Sequence, residues 1–295
     1  MSGHGSPLTC HDMAQIEHIS DTARWVAVYR AMETERRDAI FRDPFAARLA
    51  GEKGEAIVDA MKRGRAMAWA MIVRTKVFDE IILDQVRGVG ADLVLNLAAG
   101  LDARAWRLPL PPTLRWVDVD LPDILEYKTE MLKDSPPVCR YETVPLDLRD
   151  AAKRQALFTQ LGNESHRALI VTEGLLIYLT ADQVASLADD LHRPASFRWW
   201  LIDIAHPRLL VMMQRFWGKN VQGNAPFQFA PAEGAKFFEK HGWHEVRYRS
   251  IGEEARRLKR EMRGMWLWRA LARLRSKRVR EEFRRFSGAV LLERT

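Results

Sequence analysis

Two cysteines in 295 residues, Cys10 and Cys139, are too few for a disulfide framework or a cysteine-built metal site. No apolar run approaches the ~18 residues of a membrane-spanning helix. The opening MSGHGSPLTCHD also lacks the apolar stretch of a secretory signal. These absences lead to the expectation of a cytoplasmic protein. No repeat recurs and no low-complexity linker divides the chain, which sets aside solenoids and tethered domains. The G-x-G-x-x-G fingerprint is missing too. Only Gly100 occupies the corresponding loop, with Asp102 two positions later, which argues against a pyrophosphate-bearing dinucleotide.

What is present is apolar material for a large core, 47% of residues. The formal charge of +7 is unevenly spread, since residues 253–285 alone hold thirteen basic and five acidic side chains. The remainder is close to neutral, so any attraction to a polyanion rests on that segment. Spaced as a helix, it aligns Met262, Met265, Trp266, Trp268, Leu271 and Leu274 in an apolar stripe among arginines. Two readings fit this pattern: a helix packed on the core with a solvated cationic face, or contact with an anionic membrane surface. Nucleic acid is not expected as a partner, because its enzymes more often carry positive charge around the cleft.

Periodicity supplies the organisation. From about Met13 to Arg87 the spacing predicts helices in DTARWVAVYRAMETER, DPFAARLAG and AMAWAMIVRTKVFDEIILDQV, with Asp43-Pro44 a start signal and Gly51 a stop. After Gly90, short apolar runs alternate with helical stretches. DLVLNL, LRWVDVD, CRYETV, RALIVTE and FRWWLIDIA read as strands, with PDILEYKTEMLK, DAAKRQALFTQL and TADQVASLADDLHR as helices between them. WHEVRYRSI and SGAVLLERT add two more strands, giving an α/β, doubly wound, mostly parallel sheet of about seven strands with helices on both faces. The expected organisation is a single domain over 1–295, with 1–88 as a helical extension or cap and 89–295 as the core.

Ligands of such folds bind at the carboxyl ends of the strands. The first strand runs into AAGLDAR, where Gly100 lets a ligand approach the backbone, although an ordinary strand-to-helix turn has the same look. Twenty residues later Asp120 ends VDVDLP, where a carboxylate can accept from both hydroxyls of a ribose. Asp118 shares its face, as a solvated strand end would. A nucleoside carrying an amino acid also needs a carboxylate partner, and Arg74, set among apolar residues in AMIVRTKVF, can supply one.

The set DTARWVAVYRAMETERRDAIFRDPFAARLAG, RTKVFDEIIL, VLNLAAGLDARAWRL, RWVDVDLPDILEYK and VTEGLLIYLT resembles the leucine carboxyl methyltransferase family. More closely it is similar to the bacterial branch of S-adenosylmethionine-dependent small-molecule O-methyltransferases, which includes enzymes that methylate polyketide carboxyl groups. The resemblance runs in order from about Asp21 to Leu191 and implies a Rossmann-like class I methyltransferase fold. It implies that Arg74 pairs with the methionyl carboxylate, that Gly100 lies against the cofactor and that Asp120 holds the ribose. It further implies that Asp147 and Leu148 meet the adenine and that Glu173 sits near the methionyl end.

On the acceptor side, Arg30 and Tyr29 are placed to bind an anion, and Tyr178 to line the transfer channel. His206, directly after the fifth strand, is the best-placed general base. A carboxylate acceptor is ionised at neutral pH and needs no base, whereas a phenol usually does. Trp217, Phe227 and Phe229 suggest an apolar or aromatic small-molecule acceptor. The other function class is a nonenzymatic domain that binds a nucleoside or a partner on the same fold.

Overall fold

The computed structural model describes residues 21–61, 64–221, 226–262, 264 and 276–295. Before the sheet come helices α1 (Asp21–Thr34), α2 (Ala46–Ala60) and α3 (Ala68–Leu83). The alternating part follows as β1 (Leu93–Leu97), α4 (Arg104–Arg107), β2 (Arg115–Asp120), α5 (Pro122–Leu132), β3 (Arg140–Pro145), α6 (Ala151–Asn163), β4 (Ala168–Thr172), α7 (Ala181–His192) and β5 (Phe197–Ala205). The chain closes with α8 (Pro207–Val221), β6 (Trp243–Ser250), α9 (Ile251–Arg257), α10 (Lys277–Arg284) and β7 (Ser287–Arg294).

The sheet has seven strands in the order β3-β2-β1-β4-β5-β7-β6. Pairing is parallel from β3 to β5. β7 then enters antiparallel between β5 and β6. Every apolar run read as a strand becomes one. Central β1 and β4 are buried at every position because helices cover both faces, while edge strand β3 is largely exposed. Strand alternation sends Val94 into a cluster shared with α1–α3, and Leu93, Leu95 and Leu97 into one shared with α6 and α7. Strand order reverses between β1 and β4, so a crevice opens at their carboxyl ends.

Two expectations change. Gly51 kinks α2 without ending it, at φ 60° and ψ −178°. The basic carboxy-terminal segment begins as no continuous helix: α9 stops at Arg257, Lys259 takes φ 55°, and buried Arg260 turns inward to pair with Glu33 at 2.7 Å. Met265, Trp266, Trp268, Leu271 and Leu274 lie outside the described residues, as do the side chain of Trp217 and all of Met13–Ser20. Among the described residues no helix is long and apolar enough to cross a membrane.

Candidate functional site

The turn after β1 is tight. Ala98 and Gly100 both adopt φ 51°. The Gly100 amide donates to Asp120 Oδ2 at 2.6 Å and the Leu121 amide to Oδ1 at 2.7 Å, so the two strand ends are tied by one carboxylate. A side chain at position 100 would place its Cβ 3.0 Å from that of Ala23, so the first turn of α1 rests on the loop. Burial pushes the Asp120 carboxyl above its ordinary range, against the opposing pull of the two amides. Asp118 is no solvated strand end. It is fully buried, held by Lys128 Nζ and accepting from the Tyr141 hydroxyl at 2.8 Å and the Asn96 amide at 3.0 Å.

Behind this loop runs an ionic ladder. Arg30 pairs with Asp43 at 2.8 Å, and Arg107 lies between Asp43 and Asp79. Arg104 pairs with Asp79, Asp102 and Glu173, each at 2.7 Å. Arg74 then bridges Glu173 and Asp203, both at 2.9 Å. Asp203 Oδ1 accepts from the Gly174 amide at 2.7 Å, which fixes the turn after β4. Burial opposes ionisation of Asp102, but Arg104, Lys128, Arg107 and Arg30 prevail and hold its carboxyl down at about 2.

Arg74, Gly100, Asp120, Asp147, Leu148 and Glu173 all line one cavity of about 1380 Å³, although they come from five different parts of the chain. Asp147 is in an exposed turn past β3, where its side chain pairs with Arg149 and is held below the usual carboxylate range. Tyr178, Phe227 and Phe229 line the same cavity, with the first two rings 5.5 Å apart. Lost hydration pushes the Tyr178 hydroxyl up to about 12 despite its hydrogen bond with Thr22. Arg30 and Tyr29 reach the wall with their polar ends committed: Arg30 to Asp43 and the Leu101 carbonyl, Tyr29 to the Gly64 carbonyl at 2.9 Å.

His206 lies just behind the cavity wall. It precedes α8, where its Nδ1 accepts from the Arg208 amide at 3.2 Å and its carbonyl from the Leu209 amide at 2.8 Å. Its ring stacks on Phe286 and forms no part of the cavity wall. The ring caps the start of α8, next to Ala205, Leu209 and Phe286, which do line the cavity. The site also contains residues that sequence reasoning missed. Asp203 stands two residues from the end of β5 in LIDIA, much as Asp120 ends β2 in VDVD, a signal present in the sequence. Arg104 left no signal, because it pairs with Asp79 on α3 and Glu173 past β4, both distant in the chain.

A family model described as leucine carboxyl methyltransferase matches residues 23–192. A relative from Streptomyces coelicolor, provisionally named an S-adenosyl-L-methionine-dependent methyltransferase, is 33% identical over 252 residues, covering 78% of this chain and 86% of the relative. A similarly named protein from Mycolicibacterium smegmatis is 37% identical over 195 residues, 59% of this chain and 62% of the relative, so the match spans less than two thirds of that relative. Among solved structures, a DUF574 family protein from Streptomyces avermitilis superposes with TM-score 0.58 at 15% identity, covering 93% of this chain and 97% of the other. A protein from Thermobifida fusca, provisionally named a methyltransferase, gives TM-score 0.58 at 14% identity, covering 98% of each chain. At these identities the two structures establish the likeness of fold, that of Rossmann-like class I methyltransferases.

Proposed function

The chain belongs to the leucine carboxyl methyltransferase family, and from that membership we propose that it transfers the methyl group of S-adenosylmethionine to a carboxylate oxygen of a small acceptor. The carrying observation is the wall of the cavity. It offers a carboxylate at the end of β2 and a guanidinium on α3 while, among the described residues, it contains no histidine, lysine or cysteine.

The residues present suit the cofactor. Each Asp120 oxygen already accepts one backbone amide and keeps a further lone pair, so the side chain can take both ribose hydroxyls. Arg74 spends Nε on Glu173 and Nη1 on Asp203, leaving Nη2 to donate to a carboxylate. Gly174 takes a left-handed backbone at φ 71° beside that guanidinium, a conformation that favours glycine over other residues. Asp147 and Leu148 flank the adenine end. When bound, the cofactor supplies an already activated methyl group.

The protein's remaining tasks are to align the acceptor oxygen with that methyl and to exclude water. Tyr178, neutral at physiological pH, holds no base but can donate a hydrogen bond. Among the described residues no histidine lines the cavity to take the proton of a phenol, whose pKa is about 10, whereas a carboxylic acid of pKa about 4 is already ionised and needs none taken. Calorimetry of S-adenosylmethionine with the wild type and with Asp120→Ala tests the reading. Binding that weakens at least tenfold, the effect of roughly one charge-assisted hydrogen bond, supports it; no binding to the wild type overturns it. Methyl ester formation on a panel of carboxylic acids, with phenols inert, tests the acceptor class.

A further inference from the structure

We infer that the acceptor is an amphiphile whose reacting oxygen lies at the strand-end side of the cavity and whose flexible apolar body runs out past Met262 and Phe283; this rests on the methyltransferase reading above. Four observations lead there. The first is size. At about 1380 Å³ the cavity exceeds the roughly 300–1,000 Å³ that holds one drug-sized ligand, leaving room for a second molecule beside a cofactor.

The second is where polar groups remain available. Those brought by α1 and the 226–229 stretch are turned onto the protein itself. Thr22 binds Tyr178, Arg24 lies over the Tyr127 ring, Tyr29 donates to Gly64, Arg30 pairs with Asp43, and Gln228 donates to the Tyr178 carbonyl at 2.8 Å. On α3, the Trp69 indole, whose buried Nε1 has no partner among the described residues, can meet a single acceptor atom. A body studded with hydroxyls would lose its water there and find few partners. The third is wall chemistry. Among the described residues six methionines, Met61, Met67, Met71, Met212, Met213 and Met262, line this one cavity. Unbranched thioether side chains adapt to a flexible occupant better than to one rigid ring.

The fourth is the opening. Met262 and Phe283 line the cavity yet are 42% and 59% exposed, so the walls reach solvent through an apolar rim. A compact aromatic acid held at the strand ends would leave that rim bare, whereas an extended chain covers it.

The test is calorimetric titration of the full-length protein, free and loaded with S-adenosylhomocysteine, with straight-chain carboxylates from hexanoate to palmitate and with benzoate and naphthoate. The expected result is a Kd that falls about fourfold per added methylene, equivalent to about 0.8 kcal/mol, until the chain reaches the rim. Phe283→Ser and Met262→Ser should weaken the longest chains several-fold and leave hexanoate unchanged, with retained S-adenosylmethionine affinity reporting that the variants are folded. A flat series, or naphthoate binding more tightly than a straight chain of equal carbon count, overturns the inference. If S-adenosylmethionine binds and the slope is absent, the inference falls and the methyltransferase reading stands; if the slope is present without S-adenosylmethionine binding, the methyltransferase reading falls and the amphiphile pocket stands.

Discussion

Gly100 faces two obstacles to any side chain: a left-handed backbone and the methyl group of Ala23 at 3.0 Å from where a Cβ would be. Gly100→Ala is therefore expected to lower stability by about 1–2 kcal/mol from the backbone alone, with a further steric part. In an Ala23→Gly background only the steric part should disappear, and urea midpoints of the four proteins separate the two. Two residues earlier, Ala98 holds φ 51° without being glycine. Ala98→Gly should raise stability by up to about 1 kcal/mol, the relief of a left-handed alanine less the entropy given to the unfolded chain. An unchanged or lower urea midpoint would show that the alanine methyl contributes packing that outweighs the strain.

Asp120 gives a pH prediction of definite sign. Its folded carboxyl titrates above the ordinary value because burial disfavours the charge. Its contribution to stability is thus present below about pH 4, near the unfolded carboxyl pKa, and is lost as pH rises through the folded value. Under the proposed ribose contact, which uses the ionised form, cofactor binding should move oppositely, weakening on acidification at a higher pH than an ordinary carboxylate would give. Affinity measured across mildly acidic pH for wild type and Asp120→Asn checks this, since the variant should lose the dependence.

Among the elements, the ionic ladder ties α1, α3 and α4 to the ends of β4 and β5. Arg104 is its junction, 3% exposed and paired with three carboxylates. Arg104→Met should destabilise by about 3–5 kcal/mol, because it leaves buried charges uncompensated. Arg115→Met, which removes more exposed pairs with Glu142 and Glu164, should change stability by no more than about 1 kcal/mol. Comparable losses in chemical denaturation would refute the view that burial separates the two. Asp102 adds the acid limb of the same network. Held near 2, it contributes stability that is present above the unfolded value of about 4 and is lost as pH falls through its folded value of about 2.

For the molecule as a whole, a ligand that binds only the folded state stabilises by mass action. S-adenosylmethionine at one hundred times its Kd should add about 2.7 kcal/mol of unfolding free energy, and the accompanying rise in Tm should vanish in Asp120→Ala at the same concentration. A rise of equal size in that variant would place the cofactor elsewhere. The fold suits such coupling, because both sheet faces are covered and the cavity is walled jointly by strand ends and helices α1 and α3.

The sequence by itself determined the order of elements and that Arg74, Gly100, Asp120 and Glu173 would come to one cavity. A parallel strand covered on both faces must be apolar throughout, so DLVLNL, RALIVTE and FRWWLIDIA announce themselves, and strand ends carry Gly100, Asp120 and Glu173 by position alone. Only the tertiary structure decided that β7 enters antiparallel between β5 and β6, that Gly51 bends a helix it was expected to stop, and that the His206 ring caps the start of α8. It also decided which charges neutralise one another. Arg74 meets Asp203 across 129 positions of chain, and such a pair depends on burial and packing that no local pattern encodes.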